Sequence, residues 1–106
     1  MRSLKNYKIE LSISAKKDLK VIEIKMIFKI QSKLNALTQD IPNLDIKKLV
    51  GLKTDLFRLR CGDYRIIYTI DEVSTTINIV SINQRKDVYK GLSLLIIWMN
   101  SLYINS

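Results

Sequence analysis

The sequence predicts an α+β domain: an N-terminal strand and a helical hairpin packed on one face of a largely antiparallel sheet of about four strands. Three observations carry this. Residues 7–13 alternate apolar and polar side chains, residues 15–37 repeat apolar side chains at helical spacing, and residues 55–82 return to strand patterning broken by short polar turns. At 106 residues the chain has room for one core of this kind and not for two. Its hydrophobic fraction of 47% and charged fraction of 26% are those of a folding chain rather than a disordered one.

In the first strand Tyr7, Ile9, Leu11 and Ile13 alternate with Lys8, Glu10 and Ser12, which gives one buried face. Ser14 suits the N-cap of the helix that follows. Ala15, Leu19 and Ile22 form one apolar stripe, and Ile27, Ile30, Leu34 and Leu37 form another. The stripes do not join around Glu23 and Ile24, so two helices are expected rather than one rod. Lys16, Lys17, Lys20, Lys25, Lys29 and Lys33 fall mostly off these stripes and read as a solvated face, with contact to nucleic acid as the lesser reading. The only proline, Pro42, lies in the segment 38–45 that ends the helices. "DIKKLVGLKTD", residues 45–55, leads into the sheet, and Gly51 marks a turn. "DLFRLRCGDYRIIYTI", residues 55–70, reads as a hairpin, residues 71–74 as a polar turn, and Thr75 to Ile82 as a β-branched strand.

The end of the sequence, "GLSLLIIWMNSLYINS", residues 91–106, is apolar nearly all round and is expected to be helical, an extension of a domain spanning 1–90. Its apolar run, Leu92 to Ile104, is shorter than the roughly 20 residues a membrane span needs. Burial against the domain body, a second copy or a partner is the expectation, and no membrane association is. The opening residues lack the apolar stretch of a signal peptide, so a cytoplasmic protein is expected.

Charge and composition narrow the function classes. With 18 Lys and Arg against 10 Asp and Glu, the net charge of +8 favours phosphate backbones or acidic protein segments as partners. One Cys and no His leave neither a disulfide framework nor a zinc ligand set, and they exclude catalytic triads built on His. No metal or cofactor is expected.

The placement of the charge is more informative than its sum. A two-residue turn at Gly62 and Asp63, with positive φ at the glycine, sets Cys61 opposite Tyr64, Arg60 opposite Arg65, Leu59 opposite Ile66, Arg58 opposite Ile67 and Phe57 opposite Tyr68. Phe57, Leu59, Cys61, Tyr64, Ile66 and Tyr68 then share a core face, while Arg58, Arg60 and Arg65 stand together on the other. Like charges across a sheet cost some tenths of a kcal/mol, with no return to folding. Asp45, Asp55 and Asp63 are near in sequence and offer pairing as the alternative, but three arginines on one face of a basic chain read rather as an anion site, because guanidinium groups make two-pronged contacts with phosphate. Cys61, on the core side without a His partner, reads as packing rather than as a nucleophile. Lys47, Lys48 and Lys53 read equally as phosphate contacts or as a solvated loop.

"KKLVGLKTDLFRLRCGDYRIIYTID" followed by "SINQRKDVYK" resembles the RelE/ParE superfamily of toxins from toxin-antitoxin pairs, over about Tyr7 to Lys90. The resemblance implies a sheet of about four strands carrying an N-terminal helical hairpin, and an antitoxin as partner in a hetero-oligomer. RelE-like members are metal-independent endoribonucleases that cleave ribosome-bound messenger RNA through the 2′-hydroxyl, whereas ParE-like members inhibit DNA gyrase. On this resemblance Arg58, Arg60, Arg65, Arg85 and Tyr89 are the catalytic set: Arg65 stabilises the scissile phosphate and Tyr89 orients the 2′-hydroxyl. Apart from the resemblance, Lys86 joins Lys47, Lys48 and Lys53 as an expected RNA contact. Many relatives carry a histidine where this sequence has Gln84, so a ParE-like inhibitor and a weakened copy that only binds its antitoxin stand as alternatives.

Overall fold

The computed structural model describes residues 3–49 and 54–84. The elements in chain order are β1 (Lys8–Leu11), α1 (Ile13–Lys20), α2 (Ile24–Leu37), β2 (Ile46–Leu49), β3 (Leu56–Cys61), β4 (Tyr64–Asp71) and β5 (Thr76–Gln84). They build a five-stranded sheet in the order β1-β5-β4-β3-β2, with β1 parallel to β5 and every other pair antiparallel. The α+β class and the helical hairpin agree with the sequence expectation. The strand number differs by one, because "IKKL" at 46–49 joins the edge of the sheet instead of leading into it.

The helices start where local chemistry allows. Ser12, not Ser14, is the N-cap: its backbone is extended and its hydroxyl accepts from the Ala15 amide at 2.9 Å. The same hydroxyl donates to the Val80 carbonyl at 2.7 Å, and the Asp18 carboxylate accepts from the Ile82 amide at 2.9 Å. The pairing of β1 with β5 ends at Leu11 and Ile79, so these two side chains of α1 take over the β5 edge beyond it. Ile13, expected to point inward as part of the first strand, is exposed as the first residue of α1. Between the helices Ile22 is buried, and the chain restarts at Ile24.

One face of the sheet carries the main core. Ala15, Ile22, Ile30, Leu34 and Leu37 from the helical segment pack with Leu59, Cys61, Ile66, Tyr68, Ile77, Ile79 and Ile82 from the strands. Tyr68 stacks on Phe57 with ring centroids 5.4 Å apart. Burial pushes the Tyr68 hydroxyl up to about 12 and the Cys61 thiol above its ordinary value. Cys61 is thus a packed side chain, as its face implied. On the reverse face a smaller apolar group, Leu56, Ile67 and Val80 with Leu49, sits beside the arginines.

Candidate functional site

The arginine face is built by three registers. The turn at Gly62 and Asp63 has positive φ (+59°) at the glycine and not at the aspartate, the pattern of a type II′ turn, and it fixes Arg60 opposite Arg65 and Arg58 opposite Ile67. All five pairs of this hairpin match the register expected from sequence. The β4–β5 ladder then brings Asn83 opposite Arg65 and Ser81 opposite Ile67. On the other side β2 brings Lys47 opposite Arg58, and the Arg60 amide bonds the Asp45 carbonyl at 2.9 Å, which continues the ladder by one residue. Paired residues share a face, so two polar rows cross the sheet: Asp45, Arg60, Arg65, Asn83, and beside it Lys47, Arg58, Ile67, Ser81.

Burial differs sharply along these rows. Arg65 is 3% exposed, the Arg58 side chain 14% and the Arg60 side chain 46%. Asp45 sits between two of them, 2.8 Å from Arg58 Nη2 and 3.9 Å from Arg60 Nη1. Arg65 has no ion pair with any described carboxylate. Its Nη1 reaches only the carbonyls of Gly62 and Tyr64, each at 3.4 Å, the long end of hydrogen bonding. Three buried polar atoms in the described residues lack a hydrogen-bond partner, and all three belong to this face: Arg58 Nε, Arg65 Nε and Ser81 Oγ.

A buried, unpaired guanidinium costs several kcal/mol to hold. Orphaned donors rarely gather in one place, and here they converge beside a hydroxyl. The face thus carries more positive charge and more buried donors than its described neighbours satisfy. Among the described residues no group of His, Cys, Asp and Glu is placed to hold a metal ion.

The structure gathers only some of the residues expected from sequence. Arg58, Arg60, Arg65 and Lys47 are together. Lys48 lies in register with Phe57, on the core side, and pairs with Asp55 at 3.3 Å. Arg85, Lys86, Tyr89, Lys53 and the extension 91–106 lie outside the described residues. Gln84 pairs with Tyr64 and donates to its hydroxyl at 3.2 Å, so position 84 belongs to the face opposite Arg65. Asp45, near the arginines in sequence, does pair with two of them, whereas Ser81 and Asn83 were not legible as their neighbours, because that placement depends on the β4–β5 register. A register shift between Ile67 and Tyr68 further hides Ser81 from a simple count along the strand.

A family model described as the ParE toxin of type II toxin-antitoxin systems matches residues 9–89. The chain belongs to that family. It is a toxin of the RelE/ParE superfamily, and solved RelE structures share its fold. The toxin resembles a chain of the archaeal RelE–RelB complex of Pyrococcus horikoshii at 25% identity, covering 74% of this chain and 94% of that one with a TM-score of 0.60. It resembles a chain of the RelB–RelE complex of Methanococcus jannaschii at 25% identity, covering 76% and 94% with a TM-score of 0.61. The RelBE2 complex of Mycobacterium tuberculosis, at 24% identity, shares the fold, with 74% and 98% covered and a TM-score of 0.64. No curated protein matches the sequence significantly. No helix among the described residues is long and apolar enough to cross a membrane.

Proposed function

We propose that this toxin is an endoribonuclease that cleaves ribosome-bound messenger RNA, with the arginine face as the phosphate site and an antitoxin as its partner. The observation that carries the reading is Arg65, a residue 3% exposed, with an orphaned Nε and no ion pair to any described carboxylate. The archaeal relatives at 25% identity are complexes with RelB, which supports an antitoxin here.

In the proposed reaction the 2′-oxygen attacks phosphorus, the bond to the 5′-oxygen breaks, and a 2′,3′-cyclic phosphate and a 5′-hydroxyl remain. One proton leaves the 2′-hydroxyl and one reaches the 5′-oxygen. Arg65, Arg58 and Arg60 hold the charge that develops on the phosphorane oxygens, and Lys47 tracks the strand. Arginine remains protonated throughout, so proton transfer belongs to Tyr89 and to ribosomal groups, with Arg85 completing the cationic set.

The test is to incubate programmed ribosomes with the purified toxin and map the message ends. Cuts in the decoding site are expected, reduced about 10²–10³-fold by Arg65→Ala, the cost of one stabilising donor. No cut with wild type, or equal cutting by the variant, overturns the reading. The family match itself favours one second reading, a ParE-like inhibitor of DNA gyrase. Loss of gyrase supercoiling with no message cut selects it.

A further inference from the structure

Asp45 closes off two of the three arginines, and the pair is lopsided. The Arg58 side chain is 14% exposed and held in the sheet, while the Asp45 side chain is 52% exposed and lies just before the edge strand β2. The contact to Arg58 is short, 2.8 Å, but the one to Arg60 is 3.9 Å, and Arg58 Nε has no partner. One carboxylate thus covers part of a donor array larger than itself. A nucleic-acid strand brings successive phosphates, each with two charged non-bridging oxygens, and so suits the array better than one carboxylate. The carboxylate is also the easier member to move, since it is half in water and its departure buries nothing.

We infer that Asp45 is the resident counter-anion of the phosphate site, displaced when a nucleic-acid phosphate binds, and that it tunes the site against small free anions. In the unliganded toxin it keeps Arg58 and Arg60 largely neutralised and makes no ion pair with Arg65, which is buried in the same row. A lone phosphate ion must evict the carboxylate for a single set of contacts. A strand evicts it once and gains contact with the exposed Lys47 and the field of the buried Arg65 as well. Asp45 therefore weakens all anion binding but weakens that of small anions most, which favours a polymer. The alternative, a positioning role, has the opposite sign: if Asp45 only orients Arg58 and Arg60, removing it lowers affinity.

This inference rests on the anion-site reading of the arginine face and not on RNA cleavage. Its test is binding of a fluorescent single-stranded RNA oligonucleotide to the full chain at several salt concentrations, in competition with inorganic phosphate. The proteins are wild type, Asp45→Asn, Asp45→Ala, Arg65→Ala and Glu10→Gln. Glu10→Gln makes the same change in net charge from the exposed, distant β1. Both Asp45 variants are expected to bind the RNA about five- to tenfold more tightly at low salt, with the gain shrinking as salt rises. Phosphate is expected to compete with RNA at lower concentration in these variants than in wild type. Glu10→Gln should change binding less than twofold. If Arg65→Ala weakens RNA binding but Asp45→Asn binds it no better than Glu10→Gln does, Asp45 is not a displaceable counter-anion. Weaker binding by both Asp45 variants overturns the inference in favour of positioning. If Arg65→Ala binds RNA as wild type does, the anion-site reading itself fails, and this inference with it.

Discussion

Arg60 is the arginine most visible from outside, yet Arg65 is the informative one, because burial without a partner is costly and must be offset. At 3% exposure and without an ion pair, Arg65 weakens the fold that contains it. A residue kept for function at the expense of stability should reveal itself when replaced by an apolar side chain of similar length. Arg65→Met is therefore expected to stabilise the free toxin by about 1 kcal/mol, a rise in Tm of about 4–8 °C for a domain of this size, while weakening RNA binding on the proposed function. Thermal unfolding in low phosphate reads this directly, and a fall in Tm would mean that Arg65 is part of the scaffold. At this scale the sequence was legible: alternation from one glycine turn placed Arg58, Arg60 and Arg65 on one face, and all five hairpin pairs follow it. It did not show how unequally they are buried, or that Asp45 clasps two of them, because both depend on strands that are not neighbours in the hairpin.

The elements divide by how much of their specification is local. The two helices and the β3–β4 hairpin were legible because each carries its own period, and Gly62 sets the hairpin turn. β2 was not, since its four residues run Ile46, Lys47, Lys48, Leu49 with an apolar residue at each end and on opposite faces. Only its pairing with β3 makes such a segment a strand. The start of α1 was misjudged for a related reason: two serines are available, and Ser12 wins because its hydroxyl also reaches Val80 in β5. Gly62 isolates the local contribution. A Cβ there would meet nothing closer than Met26 Cε at 3.7 Å, so the expected effect of Gly62→Ala comes from its φ of +59° rather than from a clash. Left-handed backbone costs an L-residue about 1–2 kcal/mol, so the unfolding free energy should fall by that amount, read as a lower urea midpoint without a change in slope. An unchanged midpoint would mean that the turn relaxes to another type, and the register of the arginine face would then no longer rest on it.

Across the whole molecule the cost of the cationic face is spread over a core that holds no charge, and the pH dependence of stability shows this division. In the acid range the responsive carboxylates lie at the ends of elements, Asp40 just after α2 and Asp71 as the last residue of β4. Asp40 is held below its ordinary value by the Ser3 hydroxyl and the Leu4 amide, and Asp71 by the Ser74 and Val73 amides. Their contributions are present above a carboxylate's ordinary value near 4 and fade as pH falls through the folded values. Both are fully exposed, so the acid limb should be shallow. The alkaline limb comes from the core. Tyr68, 1% exposed against Phe57, ionises near 10 in the unfolded chain but at about 12 in the folded toxin. Its contribution is complete below pH 10 and is lost as pH rises from 10 to about 12, because only the unfolded chain releases the proton in that window. Two units correspond to about 2–3 kcal/mol. Urea unfolding of wild type and Tyr68→Phe at pH 8 and pH 11 separates this term from the general loss of lysine charge, which both proteins share. The wild type is expected to lose about 1 kcal/mol more than the variant between those two values. Equal losses would show that Tyr68 ionises as readily in the folded chain as in the unfolded one. The core face of the sheet around Tyr68 would then be wet.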